Sequence, residues 1–101
     1  MSAPIVMTVA LQQWGAAAAG RAEWIASSLQ RHQRGDWGDV EVEDNTANDD
    51  AKTQGGQLVS VYEIPADLLG TDHDHVGSIW IVTDDARDAS SPTTILWPGE
   101  S

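Results

Sequence analysis

Apolar residues recur at two different periods in the two halves of this chain, and that segregation narrows its folds more than any other feature. In the first half Leu11, Trp14, Ala18, Ala22, Ile25 and Leu29 stand three or four positions apart, which places them on one face of a helix. In the second half residues 57–64, 78–83 and 93–97 form short β-rich runs, with Leu58, Tyr62 and Ile64 alternating against Val59 and Val61. Residues 5–11 are mostly β-branched or apolar and read as one further strand. A chain of 101 residues has room for one core, so residues 1–101 are expected to form a single domain. The expected class is α+β: a small antiparallel sheet of three or four strands with two main helices packed on one face. Both faces of the strands are partly apolar, so the face away from the helices is expected to meet a partner or a second subunit.

Glycines set the boundaries. Gly15 and Gly20 each cost ~1 kcal/mol against Ala inside a helix, so the first helical segment is expected to hinge near Gly20, with residues 21–31 its stronger half. His32-Gln33-Arg34-Gly35-Asp36-Trp37-Gly38-Asp39 reads as a turn in which the glycines reach positive φ and Trp37 folds back. Asp39 suits the N-cap of a second helix over residues 40–54, which Gly55-Gly56 ends. The apolar stripe of that helix, Val40, Ala47 and Ala51, is thin and predicts a surface position. Residues 65–77 and 84–92 read as polar connections.

Sixteen Asp and Glu against five Lys and Arg leave a net charge of −11. That balance opposes direct nucleic-acid binding, which needs cations to displace counterions from phosphates, and it equally opposes an anionic membrane surface. A cationic partner is the consistent expectation. Hydrophobic residues at 41% are too many for a disordered acidic tail. No Cys is present, which removes disulfides, thiolate nucleophiles and Cys-ligated zinc. No stretch approaches the ~20 apolar residues of a membrane span, and the start carries no basic segment before its short apolar run; a cytoplasmic location is expected.

The densest chemistry lies between residues 36 and 50, where Asp36, Asp39, Glu41, Glu43, Asp44, Asp49 and Asp50 occur with no basic residue among them. On a helix Asp39, Glu43 and Asp50 project within about 40° of one another, and Asp36 could extend the row. Carboxylates spaced by ~4 Å along ~24 Å of helix axis approximate the ~3.4 Å phosphate spacing of one DNA strand. Such a face can occupy the phosphate site of a nucleic-acid-binding protein; the plainer reading is a solvated face that maintains solubility. The candidate partner-binding residues are Asp36, Trp37, Asp39, Glu43, Asp44, Asp49 and Asp50. As contacts, Trp37 and Trp14 are expected to be partly exposed, whereas Trp80 and Trp97, inside strands, are expected in the core. If the acids only cap and solvate, Trp37 packs beneath the turn and His32 simply ends the preceding helix.

Two further clusters suggest chemistry. Asp72-His73-Asp74-His75 offers imidazole and carboxylate ligands of the kind zinc or manganese accepts, yet adjacent residues seldom shape a site without distant ligands. A solvated turn is expected there, with no metal and no cofactor. His32 beside Asp36 or Asp39 could perform acid–base work only within a substrate pocket, and no catalytic residue is assigned. No phosphate-binding loop, dinucleotide fingerprint or nucleophile elbow occurs.

From Leu29 onward an ordered set of pieces stands out. They are Arg31-His32, Gly35-Asp36-Trp37-Gly38-Asp39, Glu43-Asp44, Asn48-Asp49, Gly55-Gly56, Leu58-Val59-Ser60-Val61-Tyr62, Ile79-Trp80-Ile81-Val82-Thr83 and Thr93-Thr94-Ile95-Leu96. In this order the chain resembles a group of small bacterial proteins carried on plasmids, prophages and other mobile elements. The resemblance covers about two-thirds of the chain and departs from the group at residues 65–77, 85–91 and 97–100. Mobile elements must survive host defence, so the resemblance implies an anti-defence inhibitor of the anti-CRISPR or anti-restriction kind. The expected partner is then a host CRISPR effector or another basic nucleic-acid-binding protein. Alternatives are an antitoxin or adaptor that neutralises a basic partner, a small metal-dependent enzyme relying on His73 and His75, and a homodimer module.

Overall fold

Thr8 is where the chain passes from strand to helix in the computed structural model, which describes residues 4–38, 42–69, 77–88 and 90–98, without the side chains of residues 42–45 and 69. Strand β1 (Ile5–Met7) stops there, and the Thr8 carbonyl accepts the Gln12 N–H at 2.9 Å to open helix α1 (Val9–Ala17). Residues 9–11 are therefore helical, not the end of a strand: Leu11 belongs to the buried stripe it shares with Trp14. The helical pattern breaks at Gly20, as its sequence predicts, and resumes as α2 (Arg21–Gln33). Helix α3 (Val42–Gln54) follows and closes at Gly55, whose N–H bonds the Ala51 carbonyl at 2.8 Å. Strand β2 (Leu58–Glu63), the single turn α4 (Ala66–Leu69), β3 (Ser78–Thr83) and β4 (Thr93–Leu96) complete the order.

The fold is α+β, with two departures from the expected plan. The sheet is mixed: its order is β1-β4-β3-β2, the last three strands are antiparallel, and β1 runs parallel to β4. Because β1 and β4 are separated by nearly the whole chain, no hairpin turn dictates their relative direction. Helical material is also divided differently. Helices α1 and α2 pack on one face, whereas α3 lies along the outer edge of β2.

On the helix-covered face, Met7, Ile95, Ile81 and Ser60 form one row across all four strands, with Ile79 and Tyr62 in the next. Leu11, Trp14 and Ile25 descend onto them from the helices, and Trp97 joins from beyond β4. Trp14 meets Trp24 and Trp97 edge to face, with centroids 6.3 and 5.6 Å apart. The buried Arg21 ties these pieces together. Its guanidinium lies 4.4 Å from the Trp14 ring centre and donates to the carbonyls of Trp14 and Leu68 at 3.0 and 2.8 Å. Such a buried cation is tolerable because its donors meet fixed acceptors.

The opposite face carries Val6, Thr94, Val82 and Val59 in one row and Leu96, Trp80 and Val61 in the next. Trp80 is consequently no core residue: its register turns it away from the helices, into a 410 Å³ groove with Val59, Val82, Thr94 and Leu96. Trp97, in contrast, is buried as expected.

Candidate interaction surface

The corner between α2 and α3 is built by the Gly-Asp-Trp-Gly string. Helix α2 ends in a Schellman motif, with the Asp36 N–H on the Arg31 carbonyl at 2.9 Å and the Gly35 N–H on that of His32 at 3.2 Å. Gly35 supplies the left-handed residue this closure needs, at φ 84°. Asp36 then closes the turn from its exposed side. Its carboxylate accepts Arg31 Nε at 2.8 Å and the Gly38 N–H at 3.3 Å, and the Arg31 hydrogen bond holds its carboxyl below the usual aspartate range. The Tyr62 hydroxyl donates to the Asp36 carbonyl, and burial raises the Tyr62 phenol. Gly38, at φ 73°, lies so close to β2 that a Cβ would overlap the Val61 carbonyl oxygen and the Tyr62 ring.

Trp37 is buried, at 5% exposure, which corrects the expectation that it stands partly exposed; Trp14, at 6%, is corrected likewise. Trp14 is buried in the apolar core, whereas Trp37 is buried outside it, among polar neighbours. Trp37 packs edge to face on His32, with centroids 5.7 Å apart, and its Nε1 points to Asp49 at 3.5 Å. The Lys52 ammonium sits 5.8 Å from its ring centre.

His32 does not face Asp36 across the turn. Its Nδ1 lies 2.6 Å from Ser60 Oγ and its Nε2 2.8 Å from Thr83 Oγ1, which in turn lies 2.8 Å from Thr93 Oγ1. A neutral imidazole has one donor and one acceptor nitrogen, and hydroxyls can complement either role. Burial lowers the imidazole pKa from 6.5 to about 4, so the ring is neutral at pH 7. Ser60 is fully buried, and the array joins α2, β2, β3 and β4. A 270 Å³ cleft opens beside it, lined by His32, Trp37, Lys52, Leu58 and Thr83 among others. The sequence carried no periodic signal for this array, in which the two hydroxyls that meet the imidazole lie 28 and 51 residues from His32.

Helix α3 is fastened through Asn48, a buried residue inside the thin stripe. Its side-chain amide accepts the Val59 N–H at 2.9 Å and donates to the Val59 carbonyl at 2.7 Å, standing in for a neighbouring strand. The Trp37 carbonyl takes the Val61 N–H at 3.1 Å. Together they occupy the outer edge of β2, which would otherwise invite another strand. Ala51 is buried as expected, while Ala47 is exposed.

Of the candidate contact residues, Asp49 and Asp50 are exposed on α3, and Asp36 is exposed but committed to Arg31. Asp39 lies outside the described residues, as do the side chains of Glu43 and Asp44, so the row Asp39, Glu43 and Asp50 has no described geometry. His73 and His75 also lie outside them; among the described residues no group of three or more His, Asp or Glu side chains could hold a metal ion. No helix among the described residues is long and apolar enough to cross a membrane. No known protein family, curated protein or solved structure matches the chain.

Proposed function

We infer that this chain is a mobile-element-encoded, non-catalytic inhibitor acting in the cytoplasm. It binds a host nucleic-acid-processing defence complex, a CRISPR effector first, and presents carboxylates where that complex holds phosphates. The observation that carries the reading is the charge of −11 combined with α3, which is pinned to β2 by Asn48 and turns Asp49 and Asp50 to solvent. A rigid acidic helix retains its charge spacing on binding, so little ordering entropy opposes the complex. The likeness of Gly35 to Asp39 and the β-strand pieces to mobile-element proteins supports the same context. In this reading Trp37 positions α3 from beneath instead of entering the partner.

The test is affinity capture from a host extract at low and high salt, with the retained proteins identified by mass spectrometry. A CRISPR or restriction complex retained at low salt and released at high salt is the expected result. Retention of one small basic protein, encoded beside this chain and toxic alone, would instead establish the antitoxin reading. Absence of any salt-sensitive partner would reduce the acidic helix to a solvated face.

A further inference from the structure

The open face of the sheet has no part in the acidic-helix contact, and its groove is lined mostly by apolar side chains. Val6, Thr94, Val82 and Val59 cross all four strands in register, and Leu96, Trp80 and Val61 lie in the adjoining row. Val6 is 47% exposed, and the strand side chains around the 410 Å³ groove are half-buried apart from Leu96, which is buried. Among the described residues no core helix packs on this face, and an apolar patch left open in this way marks an interaction site.

The charge around the groove defines what fits. Glu63 lies on this face at one end of β2, and strand alternation places Asp84 on it beyond the other end of β3. Both carboxylates are exposed at the two ends of the groove. None of the five cations, Arg21, Arg31, Arg34, Lys52 and Arg87, belongs to either row or lines the groove. A second copy of this chain would bring like charges together around the contact. Four strands set at ~4.8 Å span roughly 14 Å between the outer two, close to the 10–12 Å diameter of one helix with its side chains.

We propose that this face seats an amphipathic basic helix of the partner protein, its apolar stripe on Trp80, Val82, Val59 and Leu96 and its Lys and Arg side chains toward Glu63 and Asp84. The inference rests on the basic-partner reading above and adds the seat: apolar burial supplies the anchor, and the carboxylates supply orientation and encounter rate.

The test uses the full chain, isotopically labelled, and two synthetic 18-residue probes: a Leu/Lys amphipathic helix and a Lys/Gln peptide of equal charge without the stripe. The Leu/Lys helix is expected to shift the amide signals of Val59, Trp80, Val82 and Leu96, whereas the Lys/Gln peptide shifts only residues 46–53. Val82→Lys should weaken Leu/Lys binding at least tenfold while leaving Lys/Gln binding unchanged. Thr94→Lys serves as the second variant if circular dichroism shows Val82→Lys to be unfolded. Leu/Lys shifts confined to residues 46–53, or binding indifferent to both substitutions, would overturn the sheet-face seat and leave the acidic reading standing. Failure of both cationic probes to bind would remove the basic-partner reading itself. A dimer in sedimentation that Val82→Lys dissolves would assign the face to a second copy and overturn the proposal.

Discussion

Ile81 and Val82 are neighbours in β3, yet Ile81 is fully buried beneath α1 and α2 while Val82 stands in an open groove. The same contrast holds along the sheet: Tyr62, Ile79 and Ile95 face the helices, and Val61, Trp80 and Thr94 face away. Both faces are apolar, so residue type does not separate them. What separates them is that, among the described residues, the core helices pack on one face only. Apolar area already removed from water holds the fold, whereas area still facing water is free energy that a partner can release.

That comparison breaks if the two faces contribute equally to folding. Ile81→Ala should cost about 4 kcal/mol in urea unfolding, because it opens a cavity between Ile79, Ile95 and the helices. Val82→Ala, one residue along, should cost less than ~1 kcal/mol, since its site is only half-buried. Similar losses for the two would mean that the open face is covered in solution.

Acid should act on the covered face first, through His32. The His32 pKa is about 4 in the folded state against 6.5 unfolded, so the unfolded chain binds the proton first as pH falls. The resulting stability is complete above pH 6.5, is lost between 6.5 and 4, and amounts to about 3 kcal/mol. Asp36, whose carboxyl is depressed, adds a loss in the same direction at lower pH. An imidazole titration followed by NMR should place the His32 midpoint near 4; a midpoint near 6.5 would show the ring to be solvated.

The edge of β2 sharpens the comparison further. Asn48→Ala leaves the Val59 N–H and carbonyl without their amide partner, and about 2 kcal/mol of stability should go with it. The smallest effect belongs to Val82→Lys. Its stability should change by under ~1 kcal/mol, because a Lys stem can lie along the groove with its ammonium in water. A large loss there would mark the open face as part of the core.

Much of this was legible in the sequence, and the limits have physical causes. The Gly20 break, the Gly35 and Gly38 turn, the Gly55 cap and the three later strands follow from local chemistry, which acts within a few residues. Val59 and Val61 already betrayed a second apolar face. The direction of β1 was not legible, because it depends on a partner strand nearly ninety residues away: Ile5 pairs with Thr93. For Trp37 the sequence left two readings, an exposed contact or a ring packed beneath the turn, and the structure shows the second. A turn position suggests exposure, but α3 and His32 converge on that ring from opposite directions in the chain. Asn48 and His32 carried the least signal: each is a polar residue whose role is set by a backbone or hydroxyl group brought to it by the fold.

The central claim is that charge on this chain guides it to a basic partner. The most direct measurement is the association rate of the captured complex with the chain across ionic strength, comparing wild type with Asp39→Asn/Glu43→Gln/Asp50→Asn. The wild-type rate is expected to fall steeply with salt, and the triple variant is expected to fold normally but associate more slowly, with a flatter salt dependence. Equal rates and equal salt slopes for the two proteins would contradict that claim.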